Sequence, residues 1–152
     1  MDMTYRDFEE SDFGDLSEMV FCLYEEDPEG QKINDAKIRK TVDEYTARPE
    51  KLRIVIICAD GKAVGYSLIV FCWSNEYGGD IVIIDELFVK KEYRNNRVAS
   101  DFIENQIREY KNAAAVEIEA TPSNSEAKRL YERLGFEVSQ NDRYVFAPIN
   151  LL

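Results

Sequence analysis

Two rhythms of apolar residues alternate along the chain, one with a period near two and one near 3.6. Leu16, Met19, Val20 and Leu23 recur at i, i+3, i+4 and i+7 behind Asp12, a residue suited to capping. They predict a helix that Pro28 and Gly30 break. Ile38, Val42 and Tyr45 predict a second helix, capped by Asn34 and ended by Pro49. A short strand from Met3 to Phe8 precedes both. Two β-prone runs follow, Arg53 to Cys58 and Lys62 to Trp73. Asp60-Gly61 joins them, and a type I′ hairpin turn needs positive φ at both central residues, which these two tolerate. Ser74 to Asp80 reads as a loop and Ile81 to Val89 as a third strand.

The rhythm then changes. Ala99, Phe102, Ile103, Ile107 and Tyr110 line one face of a helix, and Ala115 to Glu119 returns to a strand. Ser123-Asn124-Ser125-Glu126 has the form of a capping box before Ala127, Leu130, Tyr131 and Leu134, with Gly135 as the stop. Phe136 to Val138 and Arg143 to Ala147 predict two closing strands. An antiparallel meander followed by β–α–β–α–β gives an α/β fold, a mixed, mostly antiparallel sheet flanked by helices. The unit from Ile81 to Glu119 should cross over right-handed. No repeat, low-complexity tract or Gly/Ser linker interrupts the pattern, so residues 1–152 read as one domain.

Composition narrows the chemistry. The chain has no histidine, which removes serine–histidine and cysteine–histidine catalysis and the commonest transition-metal ligand; no metal is expected. Acid–base work falls to Asp, Glu, Tyr, Lys, Cys or water. Cys22, Cys58 and Cys72 form no C-x-x-C pair, and their apolar neighbours suggest buried structural thiols. The net charge of −11 opposes general binding to nucleic acid or an anionic membrane. The N-terminus has no apolar core of signal-peptide length, so a cytoplasmic protein is expected.

Against this acidic background Lys90 to Arg97 carries four positive charges and one negative. It lies between a strand and a helix start, where unpaired N–H groups and the helix dipole attract anions. Leu87-Phe88-Val89, followed by Arg94-Asn95-Asn96-Arg97-Val98-Ala99, resembles the acetyl-CoA-binding segment of the GNAT N-acetyltransferases. There an L-x-V strand end leads into R/Q-x-x-G-x-G/A. Arg97 departs from the pattern, standing where the family has glycine. A second stretch, Asn124-Ser125-Glu126-Ala127 through Leu130-Tyr131 to Gly135-Phe136, resembles the family's late helix, N-x-x-A-x-x-L/F-Y-x-x-x-G-F.

The resemblance implies a GNAT domain that moves acetyl from acetyl-CoA to a primary amine by direct attack, with both substrates bound. It implies a cofactor site from Leu87 to Val89 and from Arg94 to Ser100, joined by Asn124 at the pantetheine arm. It makes Tyr131 the proton donor to the departing thiolate, in place of the core aromatic its helix stripe alone suggests. Glu86 or Asp85 would take the amine's proton. They are adjacent, so strand alternation lets at most one face a given cleft, and Glu86 is preferred. Carboxylates beside aromatics suit a cationic amine, small molecule or peptide, which brings in Tyr24, Trp73, Glu76 and Tyr77. A homodimer stays open. Two rivals remain: a degenerate GNAT domain that senses acyl-CoA without turnover, favoured by Arg97, and a structural module with no cofactor, which leaves the basic loop unexplained.

Overall fold

The computed structural model describes residues 1–27 and 30–148. Its elements run β1 (Met3–Asp7), α1 (Phe13–Glu26), α2 (Asp35–Ala47), β2 (Leu52–Ala59), β3 (Lys62–Ser74), β4 (Gly79–Val89), α3 (Val98–Glu109), β5 (Ala115–Ile118) and α4 (Ser125–Arg133). The five strands form one sheet in the order β1-β2-β3-β4-β5. Its first three pairings are antiparallel, and β4–β5 is parallel, as a strand–helix–strand unit requires.

Local chemistry explains most boundaries. Asp60 and Gly61 take φ of 50° and 78°, the left-handed turn their sequence foretold. Asn34 caps α2 by accepting from the Lys37 backbone N–H at 2.8 Å. Asp12 precedes α1 but does not cap it with its side chain. Its buried carboxylate instead takes two hydrogen bonds from Arg6, at 2.7 and 2.8 Å, and one from the Glu9 N–H at 2.8 Å. The Arg6 bonds hold its pKa below the usual carboxylate value. At α4 the cap is Asn124, accepting from Ala127 N–H at 3.0 Å, one residue later than the capping-box reading places it.

The alternation of each strand divides the core into two layers. Ile54, Ile56, Cys58, Tyr66 and Phe88 face α1 and α2 and pack on Leu16, Met19, Val20, Ile38 and Val42. Val55, Ile57, Val64, Ile69, Val82 and Ile84 face α3 and pack on Val98, Phe102 and Ile103. On α3 the buried position is Gln106, while the expected Ile107 is 37% exposed.

Two further expectations need correction. Phe136 to Val138 and Arg143 to Ala147 are not strands; Val138, Tyr144, Val145 and Phe146 stand in solvent. β-propensity supplies side chains that fit a sheet, but here no neighbouring edge pairs them. Cys58 is buried as expected, but Cys22 on α1 is half-buried, and Cys72 is exposed because the end of the β3–β4 hairpin lies outside the packed layers. The predicted break at Pro28 lies outside the described residues; α1 ends at Glu26.

Candidate active site

The candidate site is made where β4 bulges against β3 and parts from β5. On the β3 side Leu68 pairs with Glu86 and Ile69 with Ile84, so Asp85 has no partner of its own and forms a β-bulge. Strict alternation would put Ile84 and Glu86 on one face. The bulge separates them: Ile84 packs toward α3, and Glu86 reaches the α1/α2 face. On the other side β4–β5 pairing stops at Ile84–Ile118, so beyond this point the edge of β4 toward β5 has no strand partner among the described residues. Leu87 to Val89 stay paired with β3, while their edge toward β5 carries no strand.

Glu86 is held in a fixed position. Its carboxylate accepts from Tyr24 Oη of α1 at 2.5 Å and from Tyr66 Oη of β3 at 2.8 Å. Burial pushes its pKa up, and the two phenol hydrogen bonds oppose that only in part. Burial and the nearby carboxylate push both tyrosines up as well, so they stay protonated donors. Tyr66, fully buried, escaped the sequence reading; the signal was a tyrosine inside a central strand, whose hydroxyl must find a partner. Beside it Gly65 passes so close to β4 that an added Cβ would sit 2.4 Å from the Phe88 carbonyl oxygen. This close approach fixes the end of β4.

Tyr131 lies on the other face of the sheet from Glu86, half-buried against the layer under α3. A Schellman motif orients it: Phe136 N–H bonds Tyr131 C=O at 3.0 Å, Gly135 N–H bonds Glu132 C=O at 3.0 Å, and Gly135 takes φ of 95°. The hydrophobic contact that accompanies this motif is Phe136 on Tyr131, with ring centroids 6.1 Å apart. The Gly-Phe pair after the helix is thus a physical support for the tyrosine. Burial raises the Tyr131 pKa, keeping its proton on at neutral pH.

Before α3 the chain turns through two left-handed residues, Asn95 (φ 62°) and Arg97 (φ 63°). The first intrahelical bond is Asp101 N–H to Arg97 C=O, which leaves the N–H groups of Val98, Ala99 and Ser100 ahead of it. This is an anion cradle in form. Arg94 does not extend into it. Its Nε donates to Val89 C=O at 2.8 Å, its Nη2 pairs with Glu26 of α1 at 2.9 Å, and its guanidinium lies 5.4 Å from the Phe88 ring centre. Arg97 is exposed and ion-paired to Asp101 and Glu104.

Of the residues expected to meet a substrate, Tyr24 is at the site. Trp73, Glu76 and Tyr77 are on the β3–β4 hairpin. Trp73 pairs with Asp80, six residues from Glu86, or roughly 20 Å along the strand. They do not gather with the rest. A groove of about 470 Å³ does adjoin the site, where Glu18, Glu25 and Glu26 of α1 face Phe88, Lys90 and Lys91.

Residues 13–136 match the acetyltransferase (GNAT) family, from the first residue of α1 to the phenylalanine that closes the Schellman turn. The chain belongs to the GNAT acetyltransferase family. No curated protein matches the sequence. Solved structures repeat the GNAT fold at low identity. A possible acetyltransferase from Clostridium difficile 630 superposes with a TM-score of 0.80 at 21% identity, covering 97% of this chain and 98% of its own. The aminoglycoside N-acetyltransferase AAC(6')-Iy, bound to CoA, gives 0.72 at 20%, covering 97% and 94%. A ribosomal-protein-alanine N-acetyltransferase from Brucella melitensis biovar Abortus 2308 gives 0.73 at 13%, covering 96% and 100%. No helix among the described residues of this GNAT chain is long and apolar enough to cross a membrane.

Proposed function

We propose that this chain is an acetyl-CoA-dependent N-acetyltransferase that passes acetyl directly to a primary amine. The observation that carries the reading is Glu86: a half-buried carboxylate, raised in pKa and fixed by two phenols, close to where β4 parts from β5. The cradle from Asn95 to Ser100 receives the donor's pyrophosphate, with Arg94 adding positive charge beside it, and the pantetheine arm runs between β4 and Asn124. Glu86 takes the proton that the attacking amine gives up. The N–H groups of Leu87 to Val89 stabilise the oxygen that becomes negative as the amine adds. As the carbon–sulfur bond breaks, Tyr131 gives its proton to the thiolate, whose reference pKa near 8.5 is close enough to phenol's near 10 for the transfer. Crystallised relatives of the same fold carry CoA, which supports the choice of donor.

The acceptor is a cationic amine. The net charge of −11 and the carboxylates along the α1 groove favour its approach. The test has two steps. Acetyl-CoA should raise the melting temperature by mass action, and Arg94→Gln should keep part of that rise while Arg94→Glu removes most of it. Thiol release over a panel of amines then follows turnover, with a rate that falls as salt rises. An unmoved melting temperature at saturating acetyl-CoA would refute the reading. A second reading, a sensor that binds acyl-CoA without turnover, is favoured by one observation: Arg97 places a large side chain at a left-handed position where glycine is at ease. Binding without thiol release identifies it.

A further inference from the structure

Behind Glu86, between α1, α2 and β3, lies a cavity of about 40 Å³. Leu16, Val20, Ile33, Ile38, Thr41 and Leu68 form its walls, and Tyr24 and Glu86 close one end. The Thr41 hydroxyl donates back to Lys37 C=O at 3.1 Å, so its proton is already engaged. Tyr24 has committed its hydroxyl to Glu86. The Glu86 carboxylate is the charged function at the cavity, whose other lining side chains are mainly apolar.

Glu86 stands on the α1/α2 face, whereas the anion cradle begins the helix that covers the opposite face. A donor anchored at the cradle reaches Glu86 through the gap between β4 and β5. The cavity then lies on the acceptor's side of the carboxylate. We propose that it seats the acceptor's carbon skeleton, so that the substrate is a primary amine carried on a short aliphatic group of about three carbons. The inference rests on the acetyltransferase reading above. The size follows from the volume: a water-sized group needs about 10–15 Å³ by this measure, so about three fit in line. Apolar walls reward methylenes and leave a hydroxyl without a partner.

The experiment is initial-rate kinetics at saturating acetyl-CoA over methylamine, ethylamine, propylamine, butylamine and hexylamine, with ethanolamine as the hydroxylated match for propylamine. Each added methylene should raise kcat/KM about fourfold up to propylamine, and the gain should stop by hexylamine. Ethanolamine should fall at least about tenfold below propylamine, since its hydroxyl enters unpaired. Thr41→Met, which fills the cavity, should move the optimum to shorter amines. Val20→Ala, which enlarges it, should move the optimum to longer ones, a shift that a merely structural role would not produce. Melting temperatures with and without acetyl-CoA check that both variants fold and hold the donor. Equal rates across the series, ethanolamine matching propylamine, or an optimum that neither variant moves would overturn the cavity's role while leaving acetyl transfer intact. Thiol release with no amine at all would overturn both.

Discussion

The sheet from β1 to β4, with α1 to α3, and the stretch from β5 through α4 to Ala147 are built differently. In the first, Ile54 to Ile57, Val64, Tyr66, Ile69, Phe102 and Ile103 are completely buried. In the second, no residue of β5 or α4 is buried, and Leu130, Tyr131 and Leu134 are only half-covered. The first region can be held together by its own apolar surface. The second leans on it through one four-residue parallel pairing and the rim of the α3 layer. In the proposed reaction the donor passes along the seam between them. The rigid side carries the base and the lightly packed side the acid, so binding can complete the second region where folding does not.

The largest contrast should appear in unfolding. Phe102→Ala should cost about 3–5 kcal/mol in a urea titration and Leu130→Ala only about 1. Equal losses would erase the distinction between the regions. Next in size is the base. Glu86→Gln should lower kcat by about 10²–10⁴-fold. Because burial places the Glu86 pKa above its ordinary value, the folded state prefers the neutral form; stability from this group is present below the unfolded pKa and is lost as pH rises through the folded one. The Gln variant should thus be at least as stable as wild type at neutral pH. The wild-type kcat/KM should climb with pH through a pKa above 4.5, and a climb centred below that value would count against Glu86 as the base.

Tyr131→Phe comes third. It keeps the ring contact with Phe136 and deletes the proton donor, so turnover should drop by about 10²-fold or more with acetyl-CoA affinity within a few-fold. Unchanged turnover would make Tyr131 a packing residue of the weaker region and nothing else. The smallest effect belongs to the loop that serves both. Arg97→Gly should gain up to about 1 kcal/mol by relieving a left-handed backbone, since the exposed pairs to Asp101 and Glu104 contribute little. Tighter binding of acetyl-CoA in the same variant would show that the side chain hinders the cradle.

What could be read from the sequence follows the same division. Asp60-Gly61, the Asn34 cap and the helix stripe on Leu16 are local signals that match the structure, and the stripe on Phe102 matches it up to Ile107. Glu86 and Tyr24 were both named, but their hydrogen bond joins residues 62 apart, and nothing in the spacing reveals it. The bulge at Asp85 is equally silent, since Ile-Asp-Glu-Leu looks like ordinary alternation. Trp73, Glu76 and Tyr77 lie at the far end of the β3–β4 hairpin from Glu86, and composition does not say to which end of a hairpin a cleft opens. The tail misled for a related reason. Tyr144, Val145 and Phe146 have strand propensity, and propensity is silent about partners.

Seen as parity, β4 changes sides once. Before Asp85 the even-numbered residues Val82 and Ile84 face α3; after it the odd-numbered Leu87 and Val89 do. A strand written this way reacts to insertions and deletions very unequally. Removing one residue between Leu87 and Val89 would invert every position downstream. Removing Asp85 would leave Ile84 and Glu86 on the faces they already hold, in unbroken register with Ile69 and Leu68. What would vanish is the slack that lets β4 bend away from β5. The chain spends one otherwise unpaired residue on keeping two strands from closing, and its length, as much as its letters, encodes the opening.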